Sequence, residues 1–290
     1  YCTEDGHIGG TATCTARAVC ETCGASYGEL DPANHDKTVS FDDNGFCPGG
    51  CYEPATLNAD GYYEISNAGQ LYWFAQQVNG GNTAIHGKLV ENIRINENVL
   101  AQDGTLNEGQ FRAWTPMGNK EIQYTGTFDG NNKTISGLYF NDRDTTYAGL
   151  FSFNQGTVKN VGVINSYFGA NGNVGSIAGY NSGTVTNCYS TGTVSGNEKV
   201  SGVVGHNTGT VTNCHNTGTV SGSNNVGGVV GDNTGTVTNC YNTGTVSGSN
   251  DVGGVVGNNA EIVTNCYNTG SVTGSNNVGG VVGNNTATVT

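Results

Sequence analysis

Six of the chain's ten cysteines fall in its first 51 residues, at Cys2, Cys14, Cys20, Cys23, Cys47 and Cys51, with His35 among them. Thiols and an imidazole at these spacings support two chemistries. Cys20-x2-Cys23 is the spacing at which two thiolates can share one tetrahedral ion, which makes Cys14, Cys20, Cys23 and His35 a candidate zinc set of three thiolates and one imidazole. An even number of cysteines in an extracellular chain instead predicts three disulfides, with fifteen pairings open. A segment with few long apolar runs needs staples of one kind or the other. The compartment favours disulfides. The expectation is therefore no cofactor, with a structural zinc or calcium ion as the alternative.

The other four cysteines, Cys188, Cys214, Cys240 and Cys266, recur every 26 residues. Val161 fills the corresponding slot of an earlier, slightly longer copy, and a slot that accepts Val is a packing slot. These four are read as a buried structural stack, since an unpaired Cys behaves as a small hydrophobe. Pairing between adjacent copies would be within reach but is not required.

Other catalytic constellations are not written here. The histidines, His7, His35, His86, His206 and His215, include no i, i+4 pair and no HExxH. There is no Ser-His-Asp arrangement and no phosphate loop. A glycosidase needs two carboxylates about 5–10 Å apart across a cleft, and Glu198, Asp232, Asp251 and Glu261 form no acidic column. His206 and His215 replace Tyr and Asp in their columns and read as solvated surface. The chain is expected not to be an enzyme.

The frame that would carry these residues is a repeat. VGSIAGYNSGTVTNCYSTGTVSGNEK (174–199) recurs with small changes at 200–225, 226–251 and 252–277, and a further partial copy runs to Thr290. Each copy holds three β-prone pieces (VGGVVG, GTVTNCY, GTVSG) separated by turn formers, and Gly at this density disfavours helix. Three strands per 26 residues predict an all-β, right-handed, three-sided parallel β-helix whose coils stack about 4.8 Å apart. TYAGLFSFNQGTVKNVGVINS (146–166) fits the template with one extra residue. Two apolar columns follow: Leu150, Ile177, Val203, Val229, Val255, Val281, and Val158, Val185, Val211, Val237, Val263. Asn160, Asn187, Asn213, Asn239 and Asn265 are read as a structural ladder at strand ends, passing amide hydrogen bonds between coils. Asn154, Asn181, Asn207, Asn233, Asn259 and Asn285 form a second.

Four regions result: a Cys-rich module (1–56), an amphipathic capping-helix region (57–82), irregular first coils (83–145) and regular repeats (146–290). In ISNAGQLYWFAQQVNGG, Ser66 or Asn67 can N-cap a helix and Gly80 or Gly81 can end it, with Leu71, Phe74, Ala75 and Val78 on one face. Such a helix would cover the exposed edge of the first coil. FDGNN (128–132) reads as a tight turn.

A net charge of −13, concentrated before Gly169, argues against a nucleic-acid partner. No apolar run is long enough to span a membrane. The chain opens YCTEDGH and stops within a repeat, so it is expected to be a piece of a longer protein.

AGLFSFNQGTVKNV, VGSIAGYNSGTVTNC, the VGGVVG copies and FDGNNKTISGLYF resemble bacterial surface proteins carrying the GLUG motif, over roughly residues 58–290. Such repeats occur in adhesin-like proteins and in some IgA-cleaving metallopeptidases. ATCTARAVCETCGASYGELDPANH resembles Cys-rich modules of large cell-wall proteins of Gram-positive gut bacteria. The resemblance implies a bacterial, extracellular, cell-surface solenoid. The peptidase association is not expected to transfer, for want of the zinc-protease helix. The expected role is a structural or adhesive stalk, with a host glycan or protein surface as partner. A self-assembling filament subunit is the alternative, and a carbohydrate-binding or carbohydrate-active β-helix a lesser one.

Overall fold

The computed structural model of the chain describes residues 6–31 and 34–290; Cys2 lies outside them. Among the described residues the architecture is a parallel β-solenoid of about nine coils with one helix. Partners are offset by 26 residues: Thr184 pairs with Thr210, Thr210 with Thr236 and Thr236 with Ile262. Each regular coil carries five short strands. In the coil after Val174 these are Ala178–Asn181, Thr184–Thr186, Tyr189–Ser190, Thr193–Ser195 and Glu198–Ser201. The three β-prone pieces expected from the sequence are present, but two are interrupted, so the strands sort into four parallel sheets.

The interruptions have a conformational cause. Asn187, Asn213, Asn239 and Asn265 hold φ values of 54, 54, 55 and 52°. The left-handed region costs an ordinary L-residue roughly 1–2 kcal/mol, and Asn visits it most readily after Gly. This corner separates the Thr-Val-Thr strand from the next one. A second left-handed column runs Asn173, Lys199, Asn225, Asp251, Asn277. The sequence hides it, because Lys and Asp share the slot with Asn.

Both apolar columns face the interior. Leu150, Ile177, Val203, Val229 and Val255 are fully buried, as are Val158, Val185, Val211, Val237 and Val263; Val281, near the last described coil, is partly buried. Each fully buried valine contributes roughly 1.5–3 kcal/mol relative to an exposed one. Some glycines are required by backbone proximity. A Cβ on Gly218 would land on the carbonyl oxygen of Gly192, and one on Gly244 on that of Gly218.

At the other end, helix α1 (Ala68–Asn79) is N-capped by Asn67, whose Oδ1 accepts from Gln70 N at 2.9 Å, and is C-capped by Gly80. Leu71, Phe74 and Val78 are fully buried against the solenoid core. Phe74 contacts Tyr124 and Phe128 at centroid distances of 6.2 and 5.8 Å. The two-residue antiparallel strand Thr56–Leu57 pairs with Tyr62–Ile65 and ends the sheet on that flank, which leaves a very short edge. FDGNN is not a turn. It lies within the ten-residue strand Thr127–Ser136, where left-handed Asn131 and Asn132 accompany a register shift against residues 157–164.

Candidate functional site

The Cys-rich module is built of tight turns and one small hairpin. Ala18–Val19 pairs antiparallel with Ser26–Tyr27, and Cys20 and Cys23 sit in the connecting turn, closed by Cys20 N to Ala25 O at 2.9 Å and Gly24 N to Cys20 O at 2.8 Å. Cys47 to Cys51 is a second turn, whose Cys47 N donates to Cys51 O at 3.1 Å. A Cβ on Gly49 would strike the Cys14 carbonyl, so this turn lies directly on Cys14.

These turns do not bring together the zinc set expected from spacing. Cys14, Cys20, Cys23 and His35 divide between two clusters. Cys14 and His35 join Cys47 and Cys51, while Cys20 and Cys23 join His7; within each cluster the ligand atoms lie within 4.8 Å of one another. The division follows from the hairpin, which holds Cys20 and Cys23 on its own turn, whereas Cys14 N is fastened to Asn34 O at 2.9 Å. The three-disulfide expectation also needs correction. Among the described residues one disulfide forms, Cys47–Cys51, and Cys14 is a buried thiol without a disulfide partner. A five-residue turn already folded back on itself brings Cys47 and Cys51 together, while Cys14 is directed at His35. Spacing alone did not single out Cys47, Cys51 or His7 as ligands; the Pro-Gly-Gly inside Cys47–Cys51 was the available signal for a tight turn.

In the solenoid, Cys188, Cys214 and Cys240 are fully buried and Cys266 is half-buried. Each Sγ lies 3.2–3.3 Å from the carbonyl oxygen two residues earlier. Burial raises the Cys214 thiol well above its ordinary range. Hydrogen bonding between neighbouring sulfurs, with burial, raises Cys240 and Cys266. Thiols held in the neutral form are poor nucleophiles and poor metal ligands.

The two asparagine ladders differ in burial and in direction. Asn154, Asn181, Asn207, Asn233 and Asn259 are fully buried, and each donates Nδ2 to Oδ1 of the Asn in the following coil at 2.7–2.9 Å. The ladder begins at Asn154, whose Oδ1 lacks a donor because Tyr124 occupies the neighbouring level. The left-handed column runs the other way: Asn187 donates to Asn160, Asn213 to Asn187 and Asn239 to Asn213, at 3.0–3.2 Å. Asn216, Asn242 and Asn268 form a further ladder at 2.9 and 2.8 Å, written in the same period but not singled out from sequence.

His206 and His215 are not simply solvated. His215 is sandwiched between Tyr189 and Tyr241, with centroids 5.0 and 4.6 Å away and planes 3° apart, and Tyr267 extends the column. Burial lowers its pKa below the usual value. His206 Nε2 lies 3.6 Å from Asp232, which is buried and held by Lys199 Nζ at 2.8 Å and Asn258 Nδ2 at 2.8 Å. Burial and the Lys199 ammonium lower the His206 pKa, against the pull of Asp232. Burial would raise the Asp232 carboxyl, but the hydrogen bonds from Lys199 and Asn258 outweigh it and hold it below the ordinary range.

A parallel coil repeated in constant register, with ladders inside and outside, defines a β-solenoid repeat protein. The model of the GLUG motif matches residues 170–195, 197–221 and 222–247, three successive stretches of the regular coil. Over 147 residues, 49% of the chain, the sequence is 32% identical to halomucin of Haloquadratum walsbyi. Over 79 residues, 26% of the chain, it is 33% identical to the "Putative Gly-rich membrane protein" of Evansella cellulosilytica. The chain spans only 2% and 9% of the length of these relatives. In three dimensions, 86% of the chain matches 78% of a solved protein described as "a putative immunoglobulin A1 protease from Bacteroides ovatus", with a TM-score of 0.65 and 24% identity. At that identity the likeness speaks for the β-helix fold alone.

Proposed function

We propose that the chain is a non-catalytic, extracellular stalk of a bacterial surface protein, which spaces or presents an adhesive surface. The observation that carries this reading is the constant 26-residue register from Thr184 to Ile262. It makes a rod that lengthens by about 4.8 Å per coil and reaches roughly 40 Å over about nine coils. The solenoid's acidic groups support a structural role. Asp232 is engaged by Lys199 and Asn258, and Asp251 accepts from Asn277 at 2.7 Å. The names of the two sequence relatives, a halomucin and a membrane protein, agree with a cell-surface setting. The test is binding of the purified chain to mucin, a glycan panel and host-cell proteins. Saturable binding supports adhesion, and a negative result across the panel leaves the spacer role. Turnover of a polysaccharide or protein substrate by the pure chain overturns the reading.

Self-association is the second reading. Ile262, Tyr267 and Val278 are 45, 52 and 45% exposed and lie on the last strands of their sheets, edges that a strand of another chain could pair with. Sedimentation of a monodisperse monomer at high concentration would rule it out for this chain.

A further inference from the structure

We propose that Cys14, His35, Cys47 and Cys51 form a tetrahedral zinc site, filled while Cys47 and Cys51 are thiols and emptied when they close their disulfide. The disulfide alone leaves Cys14 and His35 unexplained. Cys14 is fully buried with no sulfur bonded to it, yet its Sγ lies 3.6 Å from Cys47 Sγ and 3.8 Å from His35 Nδ1. His35 Nδ1 is in turn 3.1 Å from Cys51 Sγ. With Zn–S near 2.3 Å and Zn–N near 2.0 Å, the edges of a tetrahedron of three sulfurs and one nitrogen are roughly 3.5–3.8 Å. Two of the cluster's edges, Cys14–Cys47 at 3.6 Å and Cys14–His35 at 3.8 Å, already fall in that range, and the His35–Cys51 edge at 3.1 Å needs only to open by a few tenths of an ångström.

The surroundings hold the sulfurs in place. Asp36 N donates to Cys14 Sγ at 3.3 Å and Cys51 N to Cys47 Sγ at 3.1 Å. The His35 ring is stacked on Phe41, centroids 4.2 Å apart and planes 20° apart, which fixes the imidazole's aim. Asp36, next to His35, accepts from Thr15 Oγ1 at 2.5 Å and from Thr38 Oγ1 at 2.7 Å, tying the 34–38 loop to the segment that carries Cys14. Three thiolates and one imidazole select zinc, whereas calcium requires hard oxygen ligands. These ligands come from three separate stretches, so the ion would cross-link a module with little apolar core of its own.

The metal and the disulfide compete for the same two sulfurs. The chain is synthesised with both as thiols, and zinc binding displaces their protons. Oxidation by an external disulfide removes two electrons from the Cys47 and Cys51 thiolates and forms the S–S bond between them, while the oxidant takes up those electrons and two protons and becomes two thiols. Cys14 and His35 are then too few ligands to retain the ion. The reverse takes two electrons and two protons from a dithiol, which becomes its own disulfide.

The test is zinc content of the whole chain, purified with zinc and a dithiol reductant and then desalted. The expected result is at least one equivalent that disappears in Cys14→Ser and in His35→Ala, persists in His35→Cys, and persists in Cys23→Ser. Cobalt in place of zinc should show the ligand-field absorption of a tetrahedral thiolate site, lost in Cys14→Ser. The solenoid's thermal transition serves as the folding control for each variant. A disulfide-forming oxidant should release the ion as Cys47 and Cys51 become resistant to alkylation. Two equivalents, one of them lost in Cys14→Ser, also support the site and place the second ion at His7, Cys20 and Cys23. No zinc under reducing conditions, or one equivalent lost in Cys23→Ser and kept in Cys14→Ser, overturns the proposal.

Discussion

Asn213 donates its side-chain amide to Asn187 Oδ1 at 3.2 Å, one coil away, while both residues hold a left-handed φ of 54°. Two requirements converge on this slot: a backbone conformation that Asn tolerates and a ladder that needs an amide. Asn213→Gly keeps the first and loses the second, whereas Asn213→Ala loses both. Denaturant unfolding should place the Ala variant roughly 1–2 kcal/mol below wild type, with the Gly variant between them. Equal stability of the Ala and Gly variants would show that the left-handed corner is not what restricts the column.

Gly254 and Gly280 occupy the same slot in successive repeats but meet different surroundings. A Cβ on Gly254 would land on the Gly280 carbonyl oxygen, whereas a Cβ on Gly280 meets nothing within 4 Å. Gly254→Ala should therefore cost several times more than Gly280→Ala, about 1–3 kcal/mol against less than about 0.5 kcal/mol. Thermal melts of the two variants, compared side by side, provide the measurement.

The thiol stack should be silent toward alkylating reagents in the native state at Cys188, Cys214 and Cys240, which are fully buried. Cys266, half-buried, should label first. Mass spectrometry after timed labelling, with and without denaturant, reads this order. Cys214→Val should fold and cost less than about 1.5 kcal/mol, because Val161 is fully buried in the corresponding slot. Rapid native labelling of Cys214 would contradict the inward column.

The pH response of the solenoid should carry the mark of its histidines. Burial lowers both His206 and His215 below the ordinary value of 6.5. Between the folded pKa values and 6.5 the unfolded chain binds more protons, so stability is fully present above about pH 6.5 and is lost as pH falls through the folded values. His215→Tyr restores the residue found at Tyr189 and Tyr241 and removes one of the two groups. Its unfolding midpoint should depend less on pH between about 7 and 5 than that of wild type. An unchanged slope would assign the effect to His206 alone.

How much of this could be read from residues alone depended on whether they recur. Val158, Val185, Val211, Val237 and Val263 could be placed inside because a 26-residue period makes each side chain the neighbour of its own equivalent, so one decision settles a whole column. The cysteine stack and two of the three asparagine ladders were legible for the same reason. Lys199 escaped that logic, since a left-handed corner occupied by Asn, Lys and Asp shows no single residue type. Asp232 did too, because its partner Lys199 belongs to the preceding coil and to a different column.

The Cys-rich module has no period, and there the residues determined only which chemistries were available: thiols and imidazoles in numbers sufficient for disulfides or zinc. Which of them meet was decided by tertiary structure. The hairpin pairing Ala18–Val19 with Ser26–Tyr27 withholds Cys20 and Cys23, and the Cys47–Cys51 turn rests on Cys14 through Gly49. Sequence spacing constrains neighbours a few residues apart, whereas closing loops of 21 and 33 residues, as from Cys14 to His35 and to Cys47, depends on how separate turns pack. In the solenoid the period performs that closure repeatedly. In the head it happens once, and only the folded chain specifies it.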